Sequence, residues 1–441
     1  MRLLKRAYVV YQEGGISLFF SYSWRYLKRN LIEGRLLYPL IAALRQILSI
    51  FVPTDSGLVL FGFTNDVKGN SGHVYEWLVE RDVGDLSPVW MTSDKSLYEE
   101  LSANGYPVAY RQSLRGQLLL LRAEVACYDG MYRHTLHDRL TKIKIRHEIP
   151  IKDGPEAAKE AVTPTDVPNH DYVVTTSEFL AEKQLAYHRA RKGGDKVRRE
   201  QFVNLGFPRN DVLFDVPDEL QRRWDTFVGD QEFDQVILYA PTRRRHDEYE
   251  TKNTDLFPFD DFDLDHLNSL LEQLDALLLV RLHPSDARRV SSDDHTYETR
   301  HEHDKLAEFL EELCSTERIR LASNEEFSDT NEILQFTDVL ITDYSTVYHT
   351  FLLFDRPMLF FPYDYEDFEE SFGFKYDYYQ HLPGPAIDSF DEFSEYLSNL
   401  VNGEDPHREP RAQLRENIHD HWNGRATERT VEFIRACCED G

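Results

Sequence analysis

"VLITDYSTVYHTF" (residues 339–351) passes from an apolar run through an acid into two hydroxyls and then a second apolar stretch. Val339 to Ile341 alternate too little for a half-exposed strand, so they read as a strand of a parallel sheet buried on both faces. Ser345 or Thr346 then stands where a helix N-cap belongs, and Val347, Phe351 and Phe354 give the following segment a helical apolar spacing. A strand that turns tightly into a helix aims backbone N–H groups and the positive end of the macrodipole at one point, a natural place for phosphate. A serine that only caps its helix explains this stretch equally well. The rest of the chain has to decide.

Short apolar runs recur on both sides of it. "GLVLFGF" (57–63), "PVWMT" (88–92), "VACYDG" (125–130), "IKIRHEI" (143–149), "DYVVTTS" (171–177) and "FVNLGF" (202–207) read as one series of strands. "QVILYAPT" (235–242), "ALLLVRLHP" (276–284), "RIRLA" (318–322), the opening stretch and "PMLFFPYD" (357–364) read as a second. Helical segments fall between most of them, such as "SLYEELSANG", which closes on Gly105 as a C-cap should. Two successive series predict an α/β chain of two doubly wound, Rossmann-like domains, at 53–220 and 221–410. The acidic stretch 216–234 reads as a linker, 1–52 as a basic amphipathic segment and 411–441 as C-terminal helices.

The chain has 441 residues, 41% of them apolar, and a net charge of -28. So acidic a body excludes a general nucleic-acid binder. Residues 1–50 run the other way, with eight Lys or Arg against Glu13 and Glu33, interleaved with Phe19, Phe20, Trp24 and Tyr26. That pattern fits a segment lying on an anionic membrane surface, and equally a pair of amphipathic helices packed on the body. Arg45 interrupts the best candidate for a span, which would need about 18 uncharged apolar residues. Four cysteines form no C-x-x-C pair, which points to a cytoplasmic protein. His134, His137 and His147 lack a cysteine or carboxylate at ligand spacing, so no metal is expected. Neither a Walker nor a dinucleotide fingerprint occurs, and no cofactor is expected.

Ligands of doubly wound folds collect beyond the carboxyl ends of the strands. Polar clusters stand there in this sequence: Arg146-His147-Glu148 with Lys152, Gly206 to Asp211 with Arg209, Thr242-Arg243-Arg244-Arg245, Arg281-Leu282-His283-Pro284, and Asp343 to Thr346. Arg243, Arg281 and His283, together with the Ser345 and Thr346 hydroxyls, suit a diphosphate, since guanidinium groups bond non-bridging oxygens in pairs. His147 is the group suited to moving protons near neutral pH.

These motifs in this order, "RHEIPIKDG", "VVTTSEF", "NLGFPRNDVLF", "ILYAPTRRR", "LLVRLHP", the opening stretch and "LPGP" (382–385), resemble the CDP-glycerol glycerophosphotransferase family, the TagB- and TagF-like enzymes of teichoic acid synthesis. The resemblance covers roughly residues 120–400. It implies a GT-B architecture and transfer of glycerol phosphate, or a related polyol phosphate, from a CDP donor to a hydroxyl, with release of CMP. It implies that His147 is the base activating the acceptor and that Arg281 and His283 contact the donor phosphates. Ser345 and Thr346 match the family's hydroxyl pair, and Asp343 the acid before it. Arg243 joins this donor set, while Glu148, Lys152, Arg209 and Thr242 are secondary candidates. Glu148 departs from the pattern, which has glycine there, and places a carboxylate beside the expected base. The expected partners are a CDP-polyol, a lipid-linked glycan acceptor and the inner membrane face. The rival readings are a GT-B glycosyltransferase using a nucleotide sugar, and a membrane-associated nucleotide-binding protein without turnover.

Overall fold

Each apolar run singled out above contains a strand in the computed structural model, apart from 143–149, which shares only Ile143 and Lys144 with one; the structure describes residues 38–63, 66–81, 83–130, 136–146, 149, 170–191, 193–244, 254–284, 286–287, 297–375 and 377–439. The chain divides into two compact units, one from residues 1–145, 169–171 and 431–441 and the other from residues 146–168 and 172–430.

Among its described residues the first unit begins with α1 (Tyr38–Phe51) and continues as β1 (Leu58–Gly62), α2 (Gly69–Arg81), β2 (Ser87–Thr92), α3 (Lys95–Ala103), β3 (Val108–Tyr110), α4 (Leu114–Arg122), β4 (Val125–Tyr128) and β5 (Thr141–Lys144). Its strands pair in parallel in the order β3-β2-β1-β4-β5. Every residue of β1 and β4 is buried, as the unbroken apolar runs require. Asp94 caps α3 by accepting the Ser96 and Leu97 N–H groups, and Gly105 closes it at φ +77. β3, at Val108–Tyr110, is a strand that the apolar runs above did not include.

α1 lies with one face on this unit. Arg45 donates to Gln117 Oε1 (2.9 Å) on α4, the Asp138 N–H donates to Gln46 Oε1 (2.9 Å), and Arg139 donates to the Ser49 carbonyl. The opposite face leaves Leu40, Leu44, Ile47, Leu48 and Phe51 exposed, Phe51 to 77%.

In the second unit β6 (Tyr172–Thr175) and β7 (Phe202–Asn204) pair in parallel and flank α5 (Glu178–Arg189). Then come α6 (Asp218–Val228), β8 (Gln235–Tyr239), α7 (Leu264–Gln273), β9 (Ala276–Val280), α8 (Tyr297–Leu313), β10 (Ile319–Leu321), α9 (Thr330–Leu334), β11 (Val339–Thr342), α10 (Val347–Phe351), β12 (Met358–Phe360), α11 (Tyr365–Ser371), α12 (Phe390–Val401) and α13 (Arg408–Ile418). The five strands from β8 form a parallel sheet ordered β10-β9-β8-β11-β12. Ile237, Tyr239, Leu271, Leu278, Val280, Ile341, Leu359 and Phe390 belong to its core. "LPGP" lies along β12, with the Pro385 carbonyl accepting the Phe360 N–H (3.0 Å), and Gly384 sits so close to the Met358 carbonyl that no Cβ would fit.

Two expectations change. The stretch expected as a linker holds α6, with Leu220 and Val228 buried; its acids Asp218 and Glu219 occupy the first turn, where the macrodipole favours them. The helix after Ser345 is only five residues long before a 3-10 turn at Leu352–Phe354, and it buries Tyr348, His349, Thr350 and Phe351 instead of a Val347–Phe351–Phe354 stripe.

Candidate functional site

In both sheets the strand order reverses in the middle, between β1 and β4 and again between β8 and β11. At such a point the following loops part and leave a crevice at the carboxyl ends. At the second one the loop after β8, residues 241–244, is tied to the end of β11. The Thr242 N–H donates to Asp343 Oδ1 (2.7 Å), and Thr342 Oγ1 donates to the Ala240 carbonyl (2.7 Å). Arg244 Nη1 donates to the Thr242 carbonyl (2.7 Å) and to Asp343 Oδ2 (2.7 Å). Its Nε and Nη2 fork onto Asp364, just past β12, at 2.7 and 2.9 Å. The Tyr344, Tyr363 and Phe368 rings enclose the same guanidinium at 5.0, 4.7 and 5.7 Å. Burial opposes its charge, but Asp343, together with Asp364, outweighs burial and holds the Arg244 pKa above its ordinary value. The Tyr378 hydroxyl adds a bond to the Asp343 carbonyl at 3.2 Å.

The loop after β9 joins this cluster. The His283 carbonyl accepts the Asp286 and Ala287 N–H groups at 2.8 and 3.0 Å. Asp286 faces Arg243 Nε at 3.6 Å and accepts Thr254 Oγ1 at 3.1 Å. Arg243 and the His283 turn are therefore brought together, with His283 exposed and Arg243 half-buried. Ser345 and Thr346, also half-buried, follow directly on the Asp343–Tyr344 pair. Thr242 Oγ1 is buried with no hydrogen-bond partner among the described residues.

Three of the expected roles are corrected. Arg281 points away from the cluster: Nη1 donates to the Ala322 and Ser323 carbonyls (2.8 and 2.5 Å), and Nη2 to Asn324 Oδ1 and the Phe327 carbonyl (2.7 and 2.8 Å). A guanidinium committed to four oxygens of the 322–327 loop has no fork left for a diphosphate, and burial lowers its pKa. Asp343 spends both carboxylate oxygens on Thr242 and Arg244, so it braces the crevice instead of facing a ligand. Ser345 is a weak cap, since the Val347 N–H reaches its Oγ only at 3.5 Å, and the side chain of Thr346, the capping residue, does not cap the helix. Arg209 lies apart, 4.0 Å from Asp329, on the 3-10 turn whose Asn210 accepts from Asn331 on α9 (2.9 Å). His147, Glu148 and Lys152 lie outside the described residues. Among the described residues no group of three or more His, Cys, Asp or Glu side chains could hold a metal ion.

Arg244, Asp364 and Asp286 were missed. In "APTRRR" neighbouring side chains leave an extended backbone on opposite sides, so Arg243 half-exposed implies Arg244 inward. Two acids at adjacent strand ends, Asp343 and Asp364, need a buried cation nearby. Arg244 lies in the loop after β8, the strand next to β11.

The first unit has a matching acid. Asp129, the residue after β4, accepts the Ser71 N–H in both oxygens (3.0 and 3.2 Å) and Ser71 Oγ (3.1 Å), so it sits on the N-terminus of α2. Gly69, at φ +73, lies against that carboxylate with no room for a Cβ. Elsewhere in the second unit, His419 Nε2 bonds the His349 carbonyl at 2.6 Å. Burial pushes His349 down to about 3 and His419 to about 4.

A family model described as CDP-Glycerol:Poly(glycerophosphate) glycerophosphotransferase matches residues 44–436. The chain is 26% identical over 408 residues to the teichoic acid poly(ribitol-phosphate) polymerase of Bacillus spizizenii, covering 87% of this chain and 57% of that one. It is 24% identical over 387 residues to the teichoic acid glycerol-phosphate transferase of Staphylococcus aureus, covering 83% and 89%. It thus spans less than two thirds of the length of the first of these relatives. Among solved structures, the wall teichoic acid polymerase TagF superposes with a TM-score of 0.65 at 19% identity, covering 96% of this chain and 98% of that one. The fold is therefore that of TagF, with two Rossmann-like sheets.

Proposed function

The chain belongs to the CDP-glycerol:poly(glycerophosphate) glycerophosphotransferase family, and on that premise we propose that it transfers glycerol phosphate, or a related polyol phosphate, from a CDP donor to a hydroxyl of a lipid-linked glycan, releasing CMP. The observation that carries this reading is the family match across both sheets, joined to the polar cluster at the β8/β11 crevice. One of the matched TagF crystals was soaked with CDPG. In this chain the donor's diphosphate is assigned to Arg243, His283, Ser345, Thr346 and the unpartnered Thr242 hydroxyl, a buried donor that a polar ligand would satisfy. Arg244 offsets one of the two charges of Asp343 and Asp364 and so weakens their repulsion of the diphosphate.

In the reaction His147 takes the proton of the acceptor hydroxyl while its oxygen attacks the phosphorus that bears the polyol. The bond from that phosphorus to the CMP oxygen breaks, and Arg243 and His283 stabilise the charge on the departing CMP. Phosphoryl transfer of this kind depends on positioning and charge stabilisation. The exposed stripe of α1, together with the basic residues before it, would hold the enzyme on an anionic membrane surface. No helix among the described residues is long and apolar enough to cross a membrane.

The test is transfer of label from radiolabelled CDP-glycerol to a prenyl-linked glycan by the purified chain. His147→Ala should cut transfer by about a hundredfold or more, the usual worth of a general base. Wild type transferring no better than His147→Ala across acceptors would overturn the mechanism. Thermal stabilisation by UDP or GDP sugars, and not by CDP-glycerol, would favour the glycosyltransferase reading; CDP-glycerol binding without product would favour the binding protein.

A further inference from the structure

Two buried residues of the second unit touch the groups assigned to the donor without belonging to them. Asp286 is 8% exposed and Thr254 3%. Asp286 Oδ1 faces Arg243 Nε at 3.6 Å, its Oδ2 accepts Thr254 Oγ1 at 3.1 Å, and its N–H donates to the His283 carbonyl at 2.8 Å. The Thr254 hydroxyl also reaches the Thr242 carbonyl at 3.5 Å. Thr254 is itself held in place, since the Asp255 N–H donates to Tyr363 Oη (3.2 Å) and the Asp255 carbonyl accepts Tyr239 Oη (3.5 Å). One residue thus links the loop after β8, which carries Thr242 and Arg243, to the turn after β9, which carries His283.

The fold gains little from a charge at this position. At 3.6 Å the carboxylate and Arg243 Nε form an ion pair without a hydrogen bond, and a buried carboxylate is costly to desolvate. An asparagine would keep an acceptor for Thr254 and avoid that cost. What only the charge supplies is a fixed direction for Arg243, whose long side chain otherwise loses rotamer freedom each time it takes a ligand. Because the guanidinium is planar, an acid at Nε also sets the plane in which the Nη1–Nη2 edge lies, the edge that pairs with a phosphate.

We propose that Asp286 is a positioning residue of the donor site: its carboxylate aims the Arg243 guanidinium before the diphosphate arrives, while its backbone closes the His283 turn. The inference rests on the glycerophosphotransferase reading and goes beyond it, since Asp286 is assigned no contact with substrate. Charge alone predicts the opposite effect, because a carboxylate next to a diphosphate repels it and its removal should tighten binding. The sign of the change therefore separates the two.

The experiment is calorimetric titration of the full chain with CDP-glycerol, comparing wild type, Asp286→Asn, Arg243→Ala and the double variant, with urea unfolding as the check on the fold. Asp286→Asn should weaken binding about fivefold while its urea midpoint stays at or above the wild-type value. Added to Arg243→Ala, it should change affinity by less than about twofold, because no guanidinium remains for the carboxylate to aim. In transfer assays the donor KM of Asp286→Asn should rise about fivefold, with the acceptor KM within about twofold of wild type. Asp286→Asn that binds as tightly as wild type or more tightly, or whose loss persists in full beside Arg243→Ala, overturns the inference while wild-type binding keeps the donor reading standing. A urea midpoint that falls together with a rise in both KM values assigns Asp286 to the fold and overturns it as well. Wild type that fails to bind CDP-glycerol overturns the underlying reading, and this inference with it.

Discussion

The two sheets solve the same problem at their reversal points in different ways. In each, the first acid after the strand beyond the reversal, Asp129 after β4 and Asp343 after β11, reaches across to the loop that follows β1 or β8. Asp129 accepts from the Ser71 N–H and hydroxyl, so its charge rests on the N-terminus of α2, the position an external anion would take. Asp343 meets the Thr242 N–H and the Arg244 guanidinium, so its charge is cancelled from inside. Beside it Arg243 faces Asp286 next to the His283 turn, and Ser345 and Thr346 follow directly in the chain. The same acid at the same place closes one crevice and braces the other.

The comparison breaks most visibly at Arg244. Arg244→Met leaves the buried Asp343 and the half-buried Asp364 without their cation and should cost about 3–5 kcal/mol in urea unfolding, with activity lost as well. A loss below about 1 kcal/mol would mean that the ion cluster does not hold the second crevice together.

Acid should separate the units next. His349 and His419 are buried and neutral in the fold, whereas the unfolded chain protonates near the ordinary histidine value of about 6.5. Because the unfolded state binds more protons below that value, stability is complete above it and drains as the pH falls toward 4 and then 3. From pH 7 to pH 5 the second unit should lose about 2–4 kcal/mol. His137, half of such a pair, is lowered by burial in the first unit, so calorimetry should show the second unit's transition falling further. Equal shifts in both would remove this asymmetry.

Smaller substitutions sharpen the contrast. Asp343→Asn should cost about 2 kcal/mol, because Arg244 loses a buried charge partner, and Asp129→Asn about 1 kcal/mol, because a helix N-terminus loses only its anion. Equal costs would mean that the two acids do the same work. Arg281→Lys should cost about 1 kcal/mol through lost bonds to the 322–327 loop and leave donor affinity nearly unchanged. A large loss of donor affinity there would restore the diphosphate role that the structure denies it.

Much of the fold was legible because parallel strands buried on both faces leave continuous apolar runs. α6 escaped because acids at a helix start look like those of a loop. The site was legible as a set of strand ends, since that follows from topology. Which polar residue at each end faces a ligand was not, because it depends on partners far away in the chain. Arg281 looked like an anion ligand until the 322–327 loop was seen to surround it. Arg244 looked like one of three equivalent arginines until Asp343 and Asp364 converged on it.

Calorimetric titration with CDP-glycerol tests the central claim most directly, using wild type, Arg243→Ala and Arg281→Lys. The account predicts that wild type binds, that Arg243→Ala weakens binding about tenfold, the worth of one charge-assisted contact, and that Arg281→Lys binds nearly as wild type does. Wild type that binds a nucleotide sugar but not CDP-glycerol, or Arg243→Ala that binds as tightly as wild type, would contradict it.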